Sequence, residues 1–187
     1  MNWVDPIRDS MKIIEIENLL KSSSPRNYLL FAFGIRVALR ISDLLSLQVK
    51  DVLTASGDIK DSIIVIEKKT GKRRIIKLNN PAKEAIAWYF DRTNNTDANS
   101  YLFYSQKGGA LSRFQALRLI KNWCKQVGVD GIIGTHSLRK TWAYQVWKKG
   151  GDVSVIRKAL GHSKEEITLR YIGIPASDVA DLYDLMD

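Results

Sequence analysis

The sequence predicts a mainly helical α+β domain that contains one small antiparallel β-sheet. Residues 62–67 (SIIVIE) and 73–78 (RRIIKL) are rich in β-branched side chains and flank a short polar stretch with Gly71, a pattern typical of a β-hairpin. Apolar residues in most other segments recur with helical spacing. A chain of 187 residues without repeats or low-complexity tracts fits one domain with a substantial core.

The first elements follow from capping signals and periodicity. Residues 1–11 are expected to form an N-terminal arm, and residues 12–21 have helical spacing. Pro25, preceded by three serines, is predicted to start a mostly apolar core helix over residues 25–39. Ser42 is predicted to cap a short helix that ends at Leu47, and residues 49–53 are predicted to add a strand to the sheet.

The second half is predicted to be helical apart from its connections. The Asn80-Pro81 pair begins a helix that ends near Arg92, and a polar loop follows it. Ser163 is expected to cap a helix over residues 164–171, with Glu166 at the capping-box position. The remaining predicted helices cover residues 112–127, 137–149, 152–160 and 177–186.

The charge distribution favours an anionic polymer as partner. The formal net charge is +9, yet residues 172–187 contain four Asp and no Lys or Arg, so residues 1–170 carry 29 basic and 16 acidic side chains. Such a basic body attracts phosphate backbones. A single cysteine, Cys124, excludes an internal disulfide and suits a reducing cytoplasm, and no apolar run is long enough to span a bilayer.

The stretch from Gly134 to Tyr171 concentrates residues suited to phosphodiester chemistry. His136 and Arg139 are spaced i, i+3 and therefore share one helix face. Leu160-Gly161-His162 indicates a helix that ends at a glycine, and Tyr171 follows His162 by nine residues. Basic groups and a phenol around one centre would suit an anionic phosphodiester.

Four stretches in order carry a resemblance to a known family. They are the sequence around Arg40 (ALRISDLLSL), the hairpin with Lys69 (EKKTGKRR), the His136-Ser-Leu-Arg139 helix, and the segment from Leu160 to Tyr171. From about Lys12 to Tyr171 the chain closely resembles the catalytic domain of tyrosine recombinases, the phage integrase family. The resemblance implies that fold, with its small antiparallel sheet. It also implies a site-specific DNA recombinase that cuts and rejoins DNA through a 3′-phosphotyrosine intermediate.

The resemblance also assigns roles to individual residues. Tyr171 would be the nucleophile, and Arg40 and Arg139 would hold the non-bridging phosphate oxygens, which guanidinium groups can bind bidentately. His136 would assist proton transfer from a phenol whose pKa is normally about 10, and His162 would orient the phosphate or the nucleophile. Lys69 would protonate the departing 5′ oxygen. Lys68 and Lys72 are close enough in sequence to stay open as alternatives.

Other residues are expected to support this site or to stand apart from it. Asp43, three residues after Arg40, is the expected partner of its guanidinium. Tyr144 and Tyr183 compete with Tyr171 as nucleophiles but are expected to pack. Two histidines and one cysteine cannot form a usual zinc site unaided, so no metal and no other cofactor is expected, and religation needs no ATP.

The expected partner is double-stranded DNA, with a homotetramer on two duplexes. The helix after Tyr171 could dock on a neighbouring protomer or pack within its own chain, and accessory DNA-bending proteins are compatible with the resemblance. We expect one catalytic domain over residues 1–187 without an N-terminal core-binding domain. The chain is then either naturally short or an excised domain. The expected location is the cytoplasm, in association with the nucleoid, with no membrane partner.

Two competing functions remain open at this point. A type IB topoisomerase-like relaxase would use the same chemistry without site specificity, and a DNA-binding regulator would keep the fold without cutting. The complete residue set argues against the regulator, because a protein that only binds has no chemical need for Tyr171. Target sequence and reaction outcome (integration, excision, inversion or resolution) are not readable from the chain.

Overall fold

The structure is a computed structural model that describes residues 4–174, and it is mainly helical with a two-stranded antiparallel sheet, as predicted. The strands are β1 (Ser62–Ile66) and β2 (Arg73–Lys77). The helices are α1 (Ser10–Lys21), α2 (Pro25–Val37), α3 (Ile41–Leu44), α4 (Val49–Val52), α5 (Asn80–Phe90), α6 (Arg113–Gln126), α7 (Ser137–Lys148), α8 (Val153–Leu160) and α9 (Glu165–Ile172).

Helix α2 is the centre of the main hydrophobic core. It contacts α1, α5 and α7, and Phe31 and Phe33 are fully buried. Gly34 permits the close approach of α7, because a Cβ at this position would lie 2.8 Å from Leu138 Cδ1. The residue after Leu138 is Arg139, so the close packing of α7 on α2 also determines how far Arg139, a predicted site residue, lies from the core.

The chain turns sharply where α2 ends. Ala38 adopts a left-handed conformation with φ of 51°, which is uncommon for a residue with a Cβ. Arg40 then stands as the N-cap of α3, directly after this turn. The strained turn therefore changes the direction of the chain and places Arg40 beside the hairpin.

A smaller hydrophobic cluster holds the last described helices to α7. Tyr144 of α7 packs with Ile156 and Leu160 of α8 and with Ile172 of α9. Leu160 and Ile172 are fully buried. This cluster brings the segments that contain His162 and Tyr171 against the first turns of α7.

The described part of the predicted N-terminal arm packs on the body of the protein. The Ile7 amide donates a hydrogen bond of 2.8 Å to Thr141 Oγ1, and the Asp5 amide donates one of 2.7 Å to the carbonyl of Ile132. Arg8 Nη2 donates to the carbonyl of Gly173 at 3.0 Å. The segment thus connects the middle of α7 to the end of α9.

The predicted third strand is wrong. Residues 49–52 form helix α4, closed by a reciprocal cap in which the Gln48 amide donates to Asp51 Oδ2 at 2.8 Å. Leu53 makes only an isolated bridge to Ile59. A segment of five residues is too short to show a clear period, and the Asp51 carboxylate supplies the cap of a helical turn.

Two predicted helix starts also differ from the structure. Helix α3 begins at Ile41 with Arg40 as N-cap, rather than with Ser42 as the cap. Helix α9 begins at Glu165 with Lys164 as N-cap and without a side-chain cap, so the capping box predicted from Ser163 is absent. The Ser163 carbonyl accepts a hydrogen bond from Arg157 instead. The predicted helix over residues 177–186 lies outside the described residues.

Candidate active site

The structure brings five of the predicted site residues together. They come from the start of α3 (Arg40), the first turn of α7 (His136 and Arg139), the turn after α8 (His162) and the end of α9 (Tyr171). His136 Nδ1 lies 3.4 Å from the Tyr171 hydroxyl. The rings of His162 and Tyr171 meet edge to face, with centroids 4.9 Å apart.

Arg139 is buried, and only one of its two Nη atoms has a hydrogen-bond partner among the described residues. Its Nη2 donates a short hydrogen bond to the Leu160 carbonyl, whereas its buried Nη1 has no hydrogen-bond partner among the described residues. Burial lowers the pKa of Arg139 to about 10, and the positive charges of Arg40 and Arg74 act in the same direction. The guanidinium stays protonated at neutral pH, so Nη1 is a preformed donor for an anion.

The carboxylate partner of Arg40 is not the expected one. Arg40 Nη1 lies 2.7 Å from Glu67 Oε2, at the end of β1. Asp43 is 1% exposed, and its Oδ1 accepts a 3.0 Å hydrogen bond from the backbone amide of Lys68. Asp43 therefore holds the hairpin, and Glu67 holds Arg40.

Both imidazoles are biased towards the neutral form. Burial lowers the pKa of His136, and the positive charges of Arg139, Arg113, Arg40 and Lys140 lower it further. Burial also lowers the pKa of His162 to about 4, with help from Arg139 and Arg40. His162 Nδ1 lies 3.1 Å from Thr168 Oγ1, which orients the ring. Neutral imidazoles can accept a proton at pH 7.

Tyr171 is protonated in the resting site. Burial raises the pKa of Tyr171 to about 12, although the charges of Arg139 and Arg40 lower it. Lys140 Nζ lies 5.2 Å from the centroid of the Tyr171 ring, a cation–π contact that was not foreseen from the sequence. The phenol accordingly needs a base before it can act as a nucleophile.

Lys69 lies in the exposed hairpin turn, and within residues 4–174 its side chain forms no hydrogen bond or ion pair with the other site residues. Gly71 in the same turn has φ of 66°, which fits the predicted hairpin geometry. Of the two alternatives, Lys72 is exposed in the same turn, and Lys68 lines a cavity of about 260 Å³ with Ser42, Ser46 and Arg113. The hairpin therefore presents its lysines at the edge of the site.

Sequence reasoning missed Glu67 and Arg74. Glu67 is 3% exposed and accepts from Arg74 Nη1 at 3.0 Å through Oε1, and Arg74 Nη2 donates to the Ala159 carbonyl at 2.6 Å. A signal was present, because Ile63, Val65 and Glu67 alternate on one strand face. An acidic residue that continues a buried apolar face needs a buried cationic partner.

Within residues 4–174, no group of three or more His, Cys, Asp or Glu side chains could hold a metal ion. No helix in that range is long and apolar enough to cross a membrane.

Comparisons with known proteins agree on one family. The family profile described as "Phage integrase family" matches residues 8–176. A relative named "Probable integrase/recombinase YoeC" from Bacillus subtilis is 41% identical over 93% of this chain and 92% of the relative. The "Type 1 fimbriae regulatory protein FimE" of Escherichia coli K12 is 30% identical over 87% of this chain and 82% of that protein.

Solved structures share the fold. A crystal structure of XerA recombinase superposes with a TM-score of 0.78 at 24% identity and covers 97% of this chain and 64% of that one. The post-cleavage complex of XerH with its difH substrate gives a TM-score of 0.75 at 20% identity, over 99% of this chain and 54% of that one. The chain thus spans between about half and two thirds of the length of these recombinase structures, but most of YoeC and FimE.

Proposed function

Because the chain belongs to the phage integrase family, we propose that it is a site-specific DNA recombinase that cuts and rejoins DNA through a 3′-phosphotyrosine intermediate. The observation that carries the proposal is the approach of the Tyr171 hydroxyl to His136 Nδ1, 3.4 Å away, beside the unpartnered buried Nη1 of Arg139. A nucleophile, a base and an oxyanion donor then converge on one point.

Cleavage begins with attack by Tyr171. The phenolic oxygen forms a bond to phosphorus while its proton passes to His136 Nδ1, which is neutral at pH 7 because burial and four cationic groups lower its pKa. The bond from phosphorus to the 5′ oxygen breaks. Lys69 Nζ donates the proton that this leaving oxygen requires.

Charge on the non-bridging oxygens is stabilised by the two arginines. Arg139 lies close enough to Tyr171 for the two groups to interact electrostatically, and its buried Nη1 has no hydrogen-bond partner among the described residues. Arg40 joins it from the start of α3, and both are fixed before DNA arrives. Fixed donors in a partly buried site stabilise the transition state without reorganisation. His162, tied to Thr168, orients the tyrosine ring.

Rejoining is the reverse reaction with another strand. A 5′ hydroxyl attacks the phosphotyrosine and gives its proton to the neutral amine of Lys69, the bond from phosphorus to Tyr171 breaks, and the phenol recovers its proton from His136. Because the phosphodiester energy is kept in the covalent intermediate, the cycle needs no ATP.

The proposal extends to partners. Exchange of strands between two duplexes requires four active sites, so we propose a homotetramer on DNA, associated with the nucleoid. The acidic segment from residue 172 onward could dock on a basic neighbouring protomer, and accessory DNA-bending proteins would assist assembly. The net charge of +9 supports binding to the phosphate backbone.

A covalent trap tests the reaction. The protein would be incubated in EDTA with nicked duplexes tiled across the DNA that flanks its gene, beside Tyr171→Phe. The matched control is Tyr144→Phe, which removes the hydroxyl of another tyrosine but keeps the ring that packs against α8 and α9. We expect a denaturation-resistant adduct with the wild type and with Tyr144→Phe, and none with Tyr171→Phe. Binding of those duplexes without any adduct would instead identify a DNA-binding regulator.

A further inference from the structure

Lys69 stands between two anchored residues. On one side the Lys68 amide donates to Asp43 Oδ1 at 3.0 Å, and on the other Thr70 Oγ1 donates to Glu67 Oε2 at 2.7 Å. Both acceptors are buried carboxylates, exposed by 1% and 3%. An exposed turn is thereby fixed by its neighbours, although the Lys69 side chain is free to extend towards DNA.

Glu67 connects this turn to two other parts of the site. The oxygen that accepts from Thr70 also lies 2.7 Å from Arg40 Nη1. The other carboxylate oxygen accepts from Arg74 at 3.0 Å, and Arg74 donates to the Ala159 carbonyl, three residues before His162. One carboxylate therefore links the start of α3, the hairpin turn and the end of α8.

The electrostatics require an ionised Glu67. Burial would raise the pKa of Glu67, but the hydrogen bonds from Thr70 and Arg74 and the adjacent positive charge of Arg40 lower it to about 2. The positive charges of Arg40 and Arg74 lie near enough to Arg139 to add to the effect of burial in lowering its pKa. The negative charge of Glu67 offsets part of this repulsion. Removal of one partner from such a cluster leaves the others uncompensated.

A simpler explanation is that Glu67 only stabilises the fold through its ion pairs. Two contacts favour a more specific role: Glu67 binds Arg40 itself, and it binds Thr70 next to Lys69. An ion pair that only joined β1 to β2 would involve Arg74 alone.

We propose that Glu67 is a positioning residue that sets the Arg40 guanidinium and the Lys69 turn relative to each other for DNA cleavage. The inference rests on the proposed recombinase function. In cleavage, Lys69 transfers a proton to the 5′ oxygen as the bond to phosphorus breaks, and Arg40 binds a non-bridging oxygen. Glu67 touches neither reacting atom and acts only through these two residues.

A change of leaving group separates the two effects. In a duplex with sulfur in place of the bridging 5′ oxygen, the bond from phosphorus to sulfur breaks and the thiolate leaves without a proton, because thiols are far more acidic than alcohols. Loss of a correctly placed Lys69 should then be harmless, whereas loss of a correctly placed Arg40 should still slow cleavage. Lys69→Ala supplies the reference for a pure proton-transfer defect.

Two variants divide the contacts of Glu67. Thr70→Val removes the link from the turn to Glu67, together with the 3.3 Å hydrogen bond that Thr70 Oγ1 accepts from the Lys72 amide within the turn. Glu67→Gln keeps the shape of the side chain but removes the charge that holds Arg40. On the oxygen substrate, we expect single-turnover cleavage to fall by about 10- to 100-fold in each, since small misplacements of catalytic groups have effects of this size. On the sulfur substrate, Thr70→Val should recover fully and Glu67→Gln only in part.

Equal losses on both substrates in Thr70→Val, or wild-type rates in Glu67→Gln, would overturn the inference. Amide hydrogen exchange of residues 68–72 in the DNA-free protein provides a second test, which does not depend on cleavage. Both variants should accelerate exchange in this turn, and unchanged exchange would refute the coupling even if the wild type cleaves DNA. Accelerated exchange with no adduct from the wild type would leave the coupling in place and refute the proposed function instead.

Discussion

The Tyr171 hydroxyl and His136 Nδ1 lie 3.4 Å apart although 35 residues separate them in the chain. Their proximity results from the packing of α8 and α9 on α7 through Tyr144, Leu160 and Ile172. The contact exists before DNA is present, so the nucleophile and its proposed base are preorganised. This geometry leads to predictions that each test one group.

The rate of cleavage should depend on a neutral His136. Burial and nearby cations lower the pKa of His136 below its ordinary value of about 6.5. The apparent second-order rate constant, which reports groups of the free enzyme, should therefore be constant from neutral pH upward and fall only at a pH below the ordinary histidine value of about 6.5.

The check is a pH series of adduct formation, with DNA affinity measured at each pH. His136→Gln should be slower by about 100-fold or more and should lose the acid limb of the profile. A wild-type rate that keeps rising with hydroxide between pH 7 and 10 would contradict this role, because it would point to direct ionisation of a phenol whose pKa is about 12.

Arg139→Lys should impair cleavage far more than DNA binding. Lysine provides a single ammonium group, which cannot both satisfy the Leu160 carbonyl and offer a second donor where Nη1 now stands. We expect single-turnover cleavage to fall by about 100- to 1000-fold, the usual effect of losing one oxyanion donor.

The matched control is Arg118→Lys, on the exposed side of α6, which should cleave and bind as the wild type does. Dissociation constants at two salt concentrations would show whether phosphate contacts are retained. If Arg139→Lys loses DNA affinity and cleavage rate in parallel, Arg139 contributes ground-state binding rather than transition-state stabilisation.

Much of this arrangement could be predicted from the sequence, but its connections could not. Apolar periodicity and caps placed the long helices within a few residues, as for α6 with Ser112 as N-cap. The short α4 was missed because a four-residue segment, in which Lys50 and Asp51 separate two valines, is too short to show a distinct period. The link from Glu67 to Arg40 was missed because it joins elements that are separate in sequence, and the nearer Asp43 seemed sufficient.

His162 should make the protein less stable in mild acid. Its pKa in the folded protein is about 4, below the ordinary value of about 6.5, so between these values the unfolded chain binds the proton more readily. The stability that the neutral ring contributes is complete above pH 6.5 and is lost progressively as the pH falls towards 4.

Urea unfolding between pH 4 and 7 provides the measurement. The free energy of unfolding should decline less steeply with falling pH in His162→Gln, which keeps a group able to bond Thr168 but does not titrate. Lys164→Gln, an exposed change two residues away, should follow the wild-type curve. Identical slopes for the wild type and His162→Gln would show that folding does not lower the pKa of His162.

Gly34→Ala should destabilise the fold and displace α7. The added Cβ would lie 2.8 Å from Leu138 Cδ1 and 3.1 Å from Leu44 Cδ2, and Leu138 and Leu44 are both buried. Overpacking of this kind typically costs about 1–3 kcal/mol. In a protein of this size that corresponds to a fall in Tm of several degrees, which calorimetry would detect.

The double variant Gly34→Ala with Leu138→Val tests the cause, because valine removes the Cδ1 atom that the new methyl group meets. Its loss of stability should be smaller than the sum of the two single losses, a coupling that a double-mutant cycle measures. Since Leu138 precedes Arg139, the single variant should also cleave DNA more slowly than its folded fraction explains. Additive losses of stability, or a cleavage rate proportional to the folded fraction, would mean that the position of α7 against α2 does not depend on the absence of a Cβ atom at Gly34.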